Sequence, residues 1–481
     1  MKSDILFGKE LIEKYPNCKD IDITGVAYDS RAVEDGFVFV CIKGYETDGH
    51  KFAKSAEQNG AAVIVAEDKI DVNIPVLYVE NTRQALADIS CGFYGNPSKK
   101  FKLVGITGTN GKTTITYLLK SILEEAGKSV GIIGTNQNVI GDKVLVTQST
   151  VPTTPNSLEL QKLFTEMADG NADCVVMEVS SHALELERVR GCHFDVGVFT
   201  NLTQDHLDFH KTMENYWRAK AKLFDISDKG VVNFDDDGGK RIAREKNSDI
   251  LKIGFDKESD LWVDNVSITS KGDKFDVHYN GKVYNMSLAI PGKFSIYNAV
   301  CAVGAALQLG IDMDTVVRGI SKATGVLGRL EVVPTDTDYT IIIDYAHTPD
   351  GLENIISAVR EFAEGRVITL FGCGGDRDNT KRAVMGEIAG KMSDFSIITS
   401  DNPRTEEPEA IVNMIVDGIK KTDGEYTVIV DRREAIAYAL DNAKKGDIII
   451  LAGKGQETYQ IIGKEKFDFD ERVEVYKHLN K

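Results

Sequence analysis

The chain has 481 residues, a hydrophobic fraction of 42%, a charged fraction of 27% and a formal net charge of -17. This composition is that of an ordinary globular protein, and the length predicts about three domains because one hydrophobic core seldom serves so long a chain. The acidic balance argues against nonspecific binding to nucleic acid or anionic lipid, although a local pocket can still bind an anion.

Residues 1–98 mix short strands and helices, as in "DGFVFVCIKG" and "AAVIVAED", and close with the turn "GNPS". Residues 99–331 alternate between helices and short apolar runs, which indicates a parallel sheet covered on both faces. The candidate strands are "FKLVGIT", "SVGIIGT", "DCVVMEV", "DVGVFTN" and "GVVNF". Residues 262–290 alternate apolar and polar side chains around Gly-Asp and Asn-Gly turns, which predicts an antiparallel insertion.

Residues 332–481 form the third segment of the chain. Its candidate strands are "YTIIIDYA", "RVITLFG", "FSIITSD", "YTVIVD" and "DIIILAG", each followed by a helical stretch. That pattern predicts a second doubly wound sheet of nucleotide-binding type. The sequence therefore predicts an α/β protein with a small α/β N-terminal domain, a central domain with a parallel sheet and an antiparallel insertion, and a C-terminal Rossmann-like domain.

The seven cysteines are widely scattered and contain no CxxC pair, which favours unpaired thiols in a reducing compartment. The N-terminal "MKSDILFGKELIEKY" lacks the apolar centre of a signal peptide. No run approaches the roughly 20 apolar residues that a membrane-spanning helix needs. We therefore expect a cytoplasmic protein.

The loop "GTNGKTT", residues 108–114, lies between a predicted strand and the predicted helix "KTTITYLLKSILEEAG". Backbone N–H groups in such a turn point into one concavity, which suits phosphate, and glycines at 108 and 111 permit close approach. Lys112 can reach the β- and γ-phosphates, and the Thr113 hydroxyl can bind Mg²⁺. The central domain is then of the P-loop ATPase type.

The loop departs from the usual spacing, since Ile106 stands where the first glycine is expected and Gly105 is one residue early. The alternative is a strand–turn–helix with incidental glycines. A nucleotide loop by itself does not distinguish a GTPase, a kinase and a ligase.

Polar side chains follow the next two strands of the central segment. Glu178 and Ser180 follow one strand, and His206 follows the other, where parallel strands deliver ligands. Glu178 is well placed for Mg²⁺. The alternatives are a structural glutamate with a helix-capping serine, and a structural histidine.

Two later helices carry further candidates. Lys220 and Lys222 lie in an amphipathic helix, where solvated lysines with buried stems are the simpler interpretation. Asn298 begins a small-residue helix and could be a cap or an adenine contact.

Four strand ends of the third segment gather charged groups, which predicts a polar rim. The groups are Asp344 and His347, then Arg377 and Arg382, then Asp401, Asn402, Pro403 and Arg404, then Lys454 and Glu457. Arg404 stands beside a proline at a strand end, and a guanidinium binds a carboxylate through two parallel hydrogen bonds. Arg404 is therefore a candidate carboxylate ligand, and a solvated surface arginine is the alternative.

Taken together, these motifs resemble the Mur ligases, the ATP-dependent amino-acid-adding enzymes of bacterial peptidoglycan synthesis. The motifs, in family order, are "DSR" (29–31), "KGYETDGH" (43–50), "GTNGKTT" (108–114), "EVSSHAL" (178–184), "TNLTQDHLDFH" (200–210), "YNA" (297–299), "GR" (328–329), "DYAHTP" (344–349), "GGDRD" (374–378) and "DNPR" (401–404). Within the family, "DNPR" resembles the branch that adds meso-2,6-diaminopimelate to UDP-N-acetylmuramoyl-L-alanyl-D-glutamate.

The resemblance implies a function for each predicted domain and a mechanism. Residues 1–98 would bind the UDP-linked substrate, residues 99–331 ATP, and residues 332–481 the amino acid, with ATP in the cleft between the last two. A substrate carboxylate would attack the γ-phosphate of ATP, and the amine of diaminopimelate would attack the resulting acyl phosphate. Nucleic-acid and membrane partners are not expected, and the protein would be a monomer.

The resemblance also implies a role for individual residues. The implied catalytic residues are Lys112, Lys220 and His206. The implied Mg²⁺ ligands are Thr113, Glu178, His206 and Lys220, the last as a carbamate formed with CO₂. The implied ATP contacts are Gly108, Thr109, Asn110, Gly111, Lys112, Thr113, Thr114, Asn298, Arg329 and Asp344. The implied contacts of the UDP-linked substrate are Tyr28, Ser30, Thr153, Thr154, Ser180 and Arg188. The implied diaminopimelate contacts are Arg382, Asp401, Asn402, Pro403, Arg404, Gly453 and Glu457.

Three alternative functions remain open on the sequence. Folylpolyglutamate synthase and the Mur ligase that adds D-Ala-D-Ala share the phosphate loop and the "NA" helix, but "DNPR" and "DSR" weigh against both. A nucleotide-controlled switch that forms no bond is the third, and only the phosphate loop supports it.

Overall fold

The computed structural model describes residues 1–44, 47–141, 143–146, 153–246 and 249–480, so Tyr45 and Glu46 of the motif "KGYETDGH" lie outside the described residues. The chain forms two compact units, Met1–Asp260 with Cys301–Thr315, and Leu261–Val300 with Val316–Lys481. Within the described part of the chain, none of the helices combines the length and the apolar character needed to cross a membrane. The boundaries predicted for the three domains, 1–98, 99–331 and 332–481, stay a prediction.

The first unit opens with a four-stranded parallel sheet in the order β1-β2-β3-β4. Its strands are β1 (Gly25–Ala27), β2 (Phe37–Val40), β3 (Ala61–Ala66) and β4 (Val76–Tyr78). Its helices are α1 (Ser3–Lys14), α2 (Ala53–Gln58) and α3 (Thr82–Phe93). Buried apolar residues cover both faces of this sheet, as the predicted small α/β domain requires.

The same unit contains a larger doubly wound sheet. Its strands are β5 (Lys102–Thr107), β6 (Val130–Ile133), β7 (Asn138–Ile140), β8 (Lys143–Leu145), β9 (Cys174–Glu178), β10 (Phe194–Phe199), β11 (Ser227–Asn233) and β12 (Asp249–Gly254). Its helices are α4 (Lys112–Glu125), α5 (Ser157–Asp169), α6 (Ser181–Glu185), α7 (Leu207–His210), α8 (Met213–Ala221) and α9 (Asp237–Glu245).

Within the first unit the strands of this sheet run in the order β12-β11-β10-β5-β9-β6-β7-β8. The pairs from β12 to β6 are parallel, and β7 and β8 are added antiparallel at the edge. All five predicted central strands are confirmed. Since β5 lies between β9 and β10, the loops after these three strands meet at one edge, where doubly wound sheets bind their ligands.

The second unit begins with an antiparallel meander that confirms the predicted insertion. It consists of β13 (Leu261–Thr269), β14 (Gly272–Tyr279) and β15 (Lys282–Leu288). The chain then runs through α10 (Lys293–Gln308) and α11 (Met313–Lys322). Asn298 is the sixth residue of α10, so its interpretation as a helix cap is wrong.

The C-terminal sheet of the second unit has the order β16-β17-β21-β18-β19-β20, and every pair except β16–β17 is parallel. Its strands are β16 (Glu331–Val332), β17 (Thr340–Asp344), β18 (Val367–Phe371), β19 (Phe395–Ile398), β20 (Tyr426–Val428) and β21 (Ile448–Ala452). The hairpin β22 (Tyr459–Ile462) and β23 (Glu465–Asp468) follows. The helices are α12 (Pro349–Arg360), α13 (Thr380–Met392), α14 (Pro408–Ile419), α15 (Arg432–Asn442) and α16 (Glu471–Leu479). The two apolar cores on its faces confirm the predicted Rossmann-like domain.

Asp273 on β14 is a buried carboxyl whose oxygens have no hydrogen-bond partner of ordinary geometry among the described residues. Burial raises the pKa of Asp273 to about 7, and weak hydrogen bonds from the backbone of Gly292 and Thr269 oppose this shift only in part. An acid with a higher pKa in the folded than in the unfolded chain binds more protons when folded, so folding stability falls as pH rises from about 4 to about 7.

We expect Asp273→Asn to raise the free energy of unfolding at pH 8 by about 1–3 kcal/mol, with little change at pH 4, because the buried charge is removed. Calorimetric unfolding at both pH values measures this. Asp276→Asn is the matched control, since Asp276 is less buried on the same strand and hydrogen bonds from Asn265 and Asn285 lower its pKa. An equal gain from Asp273→Asn at both pH values would contradict the account.

Candidate functional site

The phosphate loop connects the end of β5 to the start of α4. Gly108 has φ +148°, and a Cβ there would lie 1.8 Å from Oγ1 of Thr200. Gly111 has φ +89°, in the region that favours glycine. Lys112, Thr113 and Thr114 then form the first turn of α4. The N–H groups of a first helical turn point out of the N-terminal end of the helix, which is the geometry that binds an anion.

Gly105 has a different function, which explains why it stands one residue early. It lies within β5, where a Cβ would be 2.8 Å from the Phe194 ring. Ile106 is fully buried in the same strand. The sheet packing therefore requires Gly105, and the loop itself begins at Gly108.

Residues at the end of β10 hold the loop in place. The Thr109 N–H donates to the Asn201 carbonyl oxygen at 2.9 Å, and the Asn110 N–H donates to Asn201 Oδ1 at 3.0 Å. The Thr200 hydroxyl donates to the Asn110 carbonyl oxygen at 2.6 Å. Thr200 and Asn201 were not predicted as loop supports, although both belong to the motif "TNLTQDHLDFH".

Two lysines donate to one carbonyl oxygen of the loop. Nζ of Lys112 lies 2.9 Å and Nζ of Lys220 lies 2.7 Å from the Gly108 oxygen. Lys220 is 2% exposed, and its Nζ lies 4.4 Å from the centre of the Tyr216 ring. Burial lowers the pKa of Lys220 well below its ordinary value, and the nearby positive Lys112 lowers it further. The solvated interpretation is therefore wrong for Lys220 but holds for Lys222, which is exposed and pairs with Glu185.

Glu178 lies at the end of β9, beside the phosphate loop. It is 1% exposed, and its Oε1 accepts hydrogen bonds from the Thr113 hydroxyl at 2.9 Å and the Thr135 N–H at 3.0 Å. Its Oε2 is 3.0 Å from the Thr135 hydroxyl. Thr113 and Glu178 are thus in contact, and their hard oxygens are the ligand type that Mg²⁺ prefers. Thr135 was not predicted as a site residue, although it is the last residue of the predicted strand "SVGIIGT".

Histidine rings form a cluster beside the loop. His206, at φ +51°, precedes α7, and its ring centre is 4.8 Å from that of His182 and 6.1 Å from that of Tyr216. Burial lowers the pKa of His182, and the neighbouring His206 adds to this. Burial also lowers the pKa of His210 to about 4. His182 and His210 are therefore neutral at pH 7. His206 and Lys220 both lie next to the Tyr216 ring.

The residues expected to hold the UDP-linked substrate lie partly together. The Thr154 hydroxyl donates to the Glu178 carbonyl oxygen at 2.9 Å and accepts from the Ser180 N–H at 2.9 Å. The guanidinium of Arg188 donates to the Thr154 carbonyl oxygen at 2.9 Å. Ser180 also caps α6 through the Ala183 N–H, as its alternative interpretation states.

Tyr28 and Ser30 follow β1 in the small sheet. Burial raises the pKa of the Tyr28 hydroxyl, and the negative Glu159 adds to this, while Asn156 and Arg188 lower it. Tyr28 is thus an electrostatic neighbour of Arg188. Ser30 is buried, and its carbonyl oxygen accepts a hydrogen bond from Asn59. Among the described residues, the side chains of Ser30 and Asn298 form no hydrogen bond with another predicted site residue.

The polar rim of the second unit is confirmed as one surface, because the sheet order places β17, β21, β18 and β19 side by side. The Gly453 N–H donates to the Asp344 carbonyl oxygen at 2.9 Å, and Gly453 has φ +115°. Asp344 accepts the N–H groups of Leu330 and Ala346 at 2.7 and 2.8 Å. Burial raises the pKa of Asp344, and the positive charge of Arg329 opposes this.

A fully buried lysine lies at the centre of this rim. Nζ of Lys454 is 3.1 Å from Asp401 Oδ1, 3.2 Å from Asn402 Oδ1 and 3.5 Å from Glu457 Oε2. The Asn402 amide donates to the same Glu457 oxygen at 2.9 Å. One cation and two carboxylates leave a net negative charge, which suits the ammonium group of an amino acid.

Arg382 is 1% exposed and already has a carboxylate partner. Its two terminal nitrogens each donate to an oxygen of Glu406 at 2.8 Å. The same carboxylate accepts the Asp376 N–H at 2.6 Å, so the pair anchors the loop "GGDRD". Its contact with the amino acid stays a prediction.

Arg404 is half-buried, and its guanidinium makes fewer hydrogen bonds than that of Arg382. Its backbone has φ +51° and is held by the hairpin β22–β23, with its N–H donating to Ile461 at 3.1 Å. Among the described residues, only the Gly375 carbonyl oxygen accepts a hydrogen bond from its guanidinium, at 2.8 Å. Pro403 fixes the backbone that precedes Arg404. A Cβ at Gly375 would lie 1.9 Å from the Pro403 carbonyl oxygen. Most of the guanidinium donors of Arg404 are thus available to a ligand.

Three family models match successive parts of the chain. The family models described as "Mur ligase family, catalytic domain", "Mur ligase middle domain" and "Mur ligase, glutamate ligase domain" match residues 22–94, 106–306 and 328–455. These matches follow the order of the three predicted domains.

Two relatives and one solved structure are similar over almost the whole chain. The UDP-N-acetylmuramoyl-L-alanyl-D-glutamate--2,6-diaminopimelate ligase 1 of Clostridium acetobutylicum is 50% identical and covers 98% of this chain and 98% of its own. The ligase of the same name from Caldanaerobacter subterraneus is 49% identical, over 99% and 98%. A solved structure with that name has a TM-score of 0.75 at 31% identity and covers 100% of this chain and 99% of its own.

Proposed function

Because this chain belongs to the Mur ligase family, we propose that it uses ATP to join meso-2,6-diaminopimelate to UDP-N-acetylmuramoyl-L-alanyl-D-glutamate. ADP and phosphate are the other products. The observation that carries the choice of amino acid is the guanidinium of Arg404, which has most of its donors available beside a negatively charged rim. The reaction belongs to the cytoplasm, and the protein acts as a monomer.

Each segment supplies one partner in this proposal. Residues 1–98 bind the UDP-linked substrate together with residues that follow β9, residues 99–331 bind ATP, and residues 332–481 bind diaminopimelate. Tyr28, Ser30, Thr153, Thr154, Ser180 and Arg188 hold the UDP-linked substrate. The contacts of Arg188 and Ser180 with Thr154 support this group.

The first step activates a carboxylate of the substrate, which is a poor acyl donor because oxide would have to leave. Its oxygen attacks the γ-phosphorus of ATP, ADP leaves, and an acyl phosphate forms. Lys112 and the loop N–H groups stabilise the charge on the transferred phosphoryl group. The hydrogen bond from Lys112 Nζ to the Gly108 carbonyl oxygen holds the lysine side chain over the loop.

The donor set near the loop fits Mg²⁺, since Thr113 and Glu178 present hard oxygens in contact and His206 lies in a cluster of histidines. Mg²⁺ held by these residues would neutralise phosphate charge. Lys220, as a carbamate, would complete the set of ligands. A neutral amine attacks CO₂, the nitrogen loses a proton, and a carboxylate oxygen replaces the cation. The lowered pKa of Lys220 supports this step, because it favours the neutral amine.

The second step forms the amide bond. Arg404 binds the distal carboxylate of diaminopimelate, and the acidic groups around Lys454 bind one of its ammonium groups. Asp401, Asn402, Glu457 and the Gly453 backbone line this part of the rim. The free amine attacks the acyl phosphate carbon, and phosphate leaves. Lysine lacks the distal carboxylate and would leave Arg404 without that partner.

The proposal predicts that phosphate release from ATP requires both UDP-N-acetylmuramoyl-L-alanyl-D-glutamate and an amino acid. Of meso-diaminopimelate, L-lysine and D-Ala-D-Ala, only the first is expected to give full activity, with a product whose mass equals the sum of both substrates minus water. Coupled phosphate assays and mass spectrometry measure this. Release that is indifferent to both substrates would indicate a nucleotide switch, and a product with D-Ala-D-Ala or with a folate would indicate a sister ligase.

A further inference from the structure

We propose that Thr135 is a positioning residue that couples the site of the UDP-linked substrate to the cation-binding carboxylate Glu178. The inference rests on the proposed function for the identity of both ligands. It concerns a side chain that the family motifs quoted above do not include. Thr135 is an exposed residue that follows the end of β6 by two positions.

Thr135 contacts both oxygens of Glu178. Its backbone N–H reaches Oε1 at 3.0 Å, and its hydroxyl reaches Oε2 at 3.0 Å. Such close approach requires the preceding glycine, because a Cβ at Gly134 would lie 2.4 Å from Oε1. With the Thr113 hydroxyl also on Oε1 at 2.9 Å, the orientation of this buried carboxylate is fixed from two sides.

The Thr135 hydroxyl also lies 3.1 Å from the hydroxyl of Thr153. A hydroxyl has one hydrogen to donate, and an ionised carboxylate can only accept. Thr135 is the donor toward Glu178 Oε2 and also toward Thr153 Oγ1, so its one hydrogen is shared between these two acceptors. The Thr135 hydroxyl therefore bridges the predicted substrate contact Thr153 and Glu178.

Occupancy at one end of this bridge changes the other end, because linked hydrogen bonds polarise one another. A bound substrate oxygen that accepts the Thr153 hydrogen makes the Thr153 oxygen a stronger acceptor for Thr135. The Thr135 hydrogen is then drawn away from Glu178, which leaves more negative charge on Glu178 for a cation. Substrate and cation should therefore strengthen each other's binding, by the same factor in both directions.

The test measures binding rather than turnover. Mn²⁺ binding is followed by electron paramagnetic resonance, without nucleotide, in the presence and absence of UDP-N-acetylmuramoyl-L-alanyl-D-glutamate. Substrate is expected to tighten Mn²⁺ binding about five-fold in the unaltered protein, at the lower end of usual coupling. Thr135→Val should reduce this factor to less than two-fold, and Thr135→Ser should restore it, because serine keeps the hydroxyl.

Thr165→Val is the matched control, since among the described residues the Thr165 hydroxyl bonds only within its own helix, to the Gln161 carbonyl oxygen at 2.9 Å. Full coupling is expected in this variant. Unchanged coupling in Thr135→Val, or no coupling in the unaltered protein, would overturn the inference while leaving the proposed function intact. If calorimetry shows that the UDP-linked substrate does not bind the unaltered protein at all, the proposed function fails and the inference fails with it.

Discussion

Replacing Lys220 by methionine is expected to lower kcat by about 10²–10³-fold, the effect of removing one electrostatic contact to the reacting group. Methionine fills a similar volume but can neither donate to the Gly108 oxygen nor form a carbamate. Steady-state release of ADP, with all three substrates saturating, measures the effect. The physical reason is the conversion of a buried cation into an anion, which a thioether cannot reproduce.

Lys222→Met is the matched control, because it makes the same change two residues away at an exposed ion pair with Glu185. It should retain activity within about two-fold, since exposed pairs contribute little. Lys220→Ala should regain part of its activity when short carboxylates are supplied, because these can occupy the place of the carbamate. Full activity of Lys220→Met, or of Lys220→Ala without any addition, would remove the carbamate from the account.

Replacing Arg404 by methionine is expected to raise the KM for diaminopimelate by roughly 10²-fold and to leave the KM for ATP within about two-fold. Loss of one partner of a half-buried charge pair weakens binding by about 2–5 kcal/mol. Methionine keeps most of the side-chain volume, so the change mainly removes the charge. Arg404→Lys should recover only part of the loss, because an ammonium cannot form two parallel hydrogen bonds with one carboxylate. Initial rates over a range of each substrate measure both constants.

Arg433→Met is the control for Arg404, because Arg433 lies in the same unit and binds the Asp468 carbonyl oxygen at the surface. It should leave both KM values unchanged. Equal activity of Arg404→Met and the unaltered protein at every diaminopimelate concentration would refute the carboxylate-binding role.

The layout of the sheets could be predicted from the sequence because it depends on local patterns. The five central strands and the antiparallel meander follow from apolar runs and turn residues that lie close together in the chain. The hairpin β22–β23 was missed, although "IIGKEKF" places a Gly-Lys turn between short strands. Its importance comes from its backbone contact with Arg404, which lies far away in the sequence.

The environments of the site residues could not be predicted in the same way, because they depend on contacts between distant parts of the chain. Lys220 lies in an ordinary amphipathic helix, and only the fold places the Gly108 oxygen and the Tyr216 ring around its ammonium group. The ion pair between Arg382 and Glu406 could not be predicted either, because any of several nearby acids could have been the partner of Arg382.

The transfer of oxygen from substrate to phosphate tests the central claim most directly. UDP-N-acetylmuramoyl-L-alanyl-D-glutamate labelled with ¹⁸O in its free carboxylates is turned over with ATP and diaminopimelate, and the released phosphate is analysed by mass spectrometry. If the carboxylate attacks the γ-phosphorus, each phosphate carries one ¹⁸O atom, because the acyl oxygen leaves with phosphorus. Phosphate that carries no label would show that water, rather than the substrate carboxylate, receives the phosphoryl group, and would contradict the account.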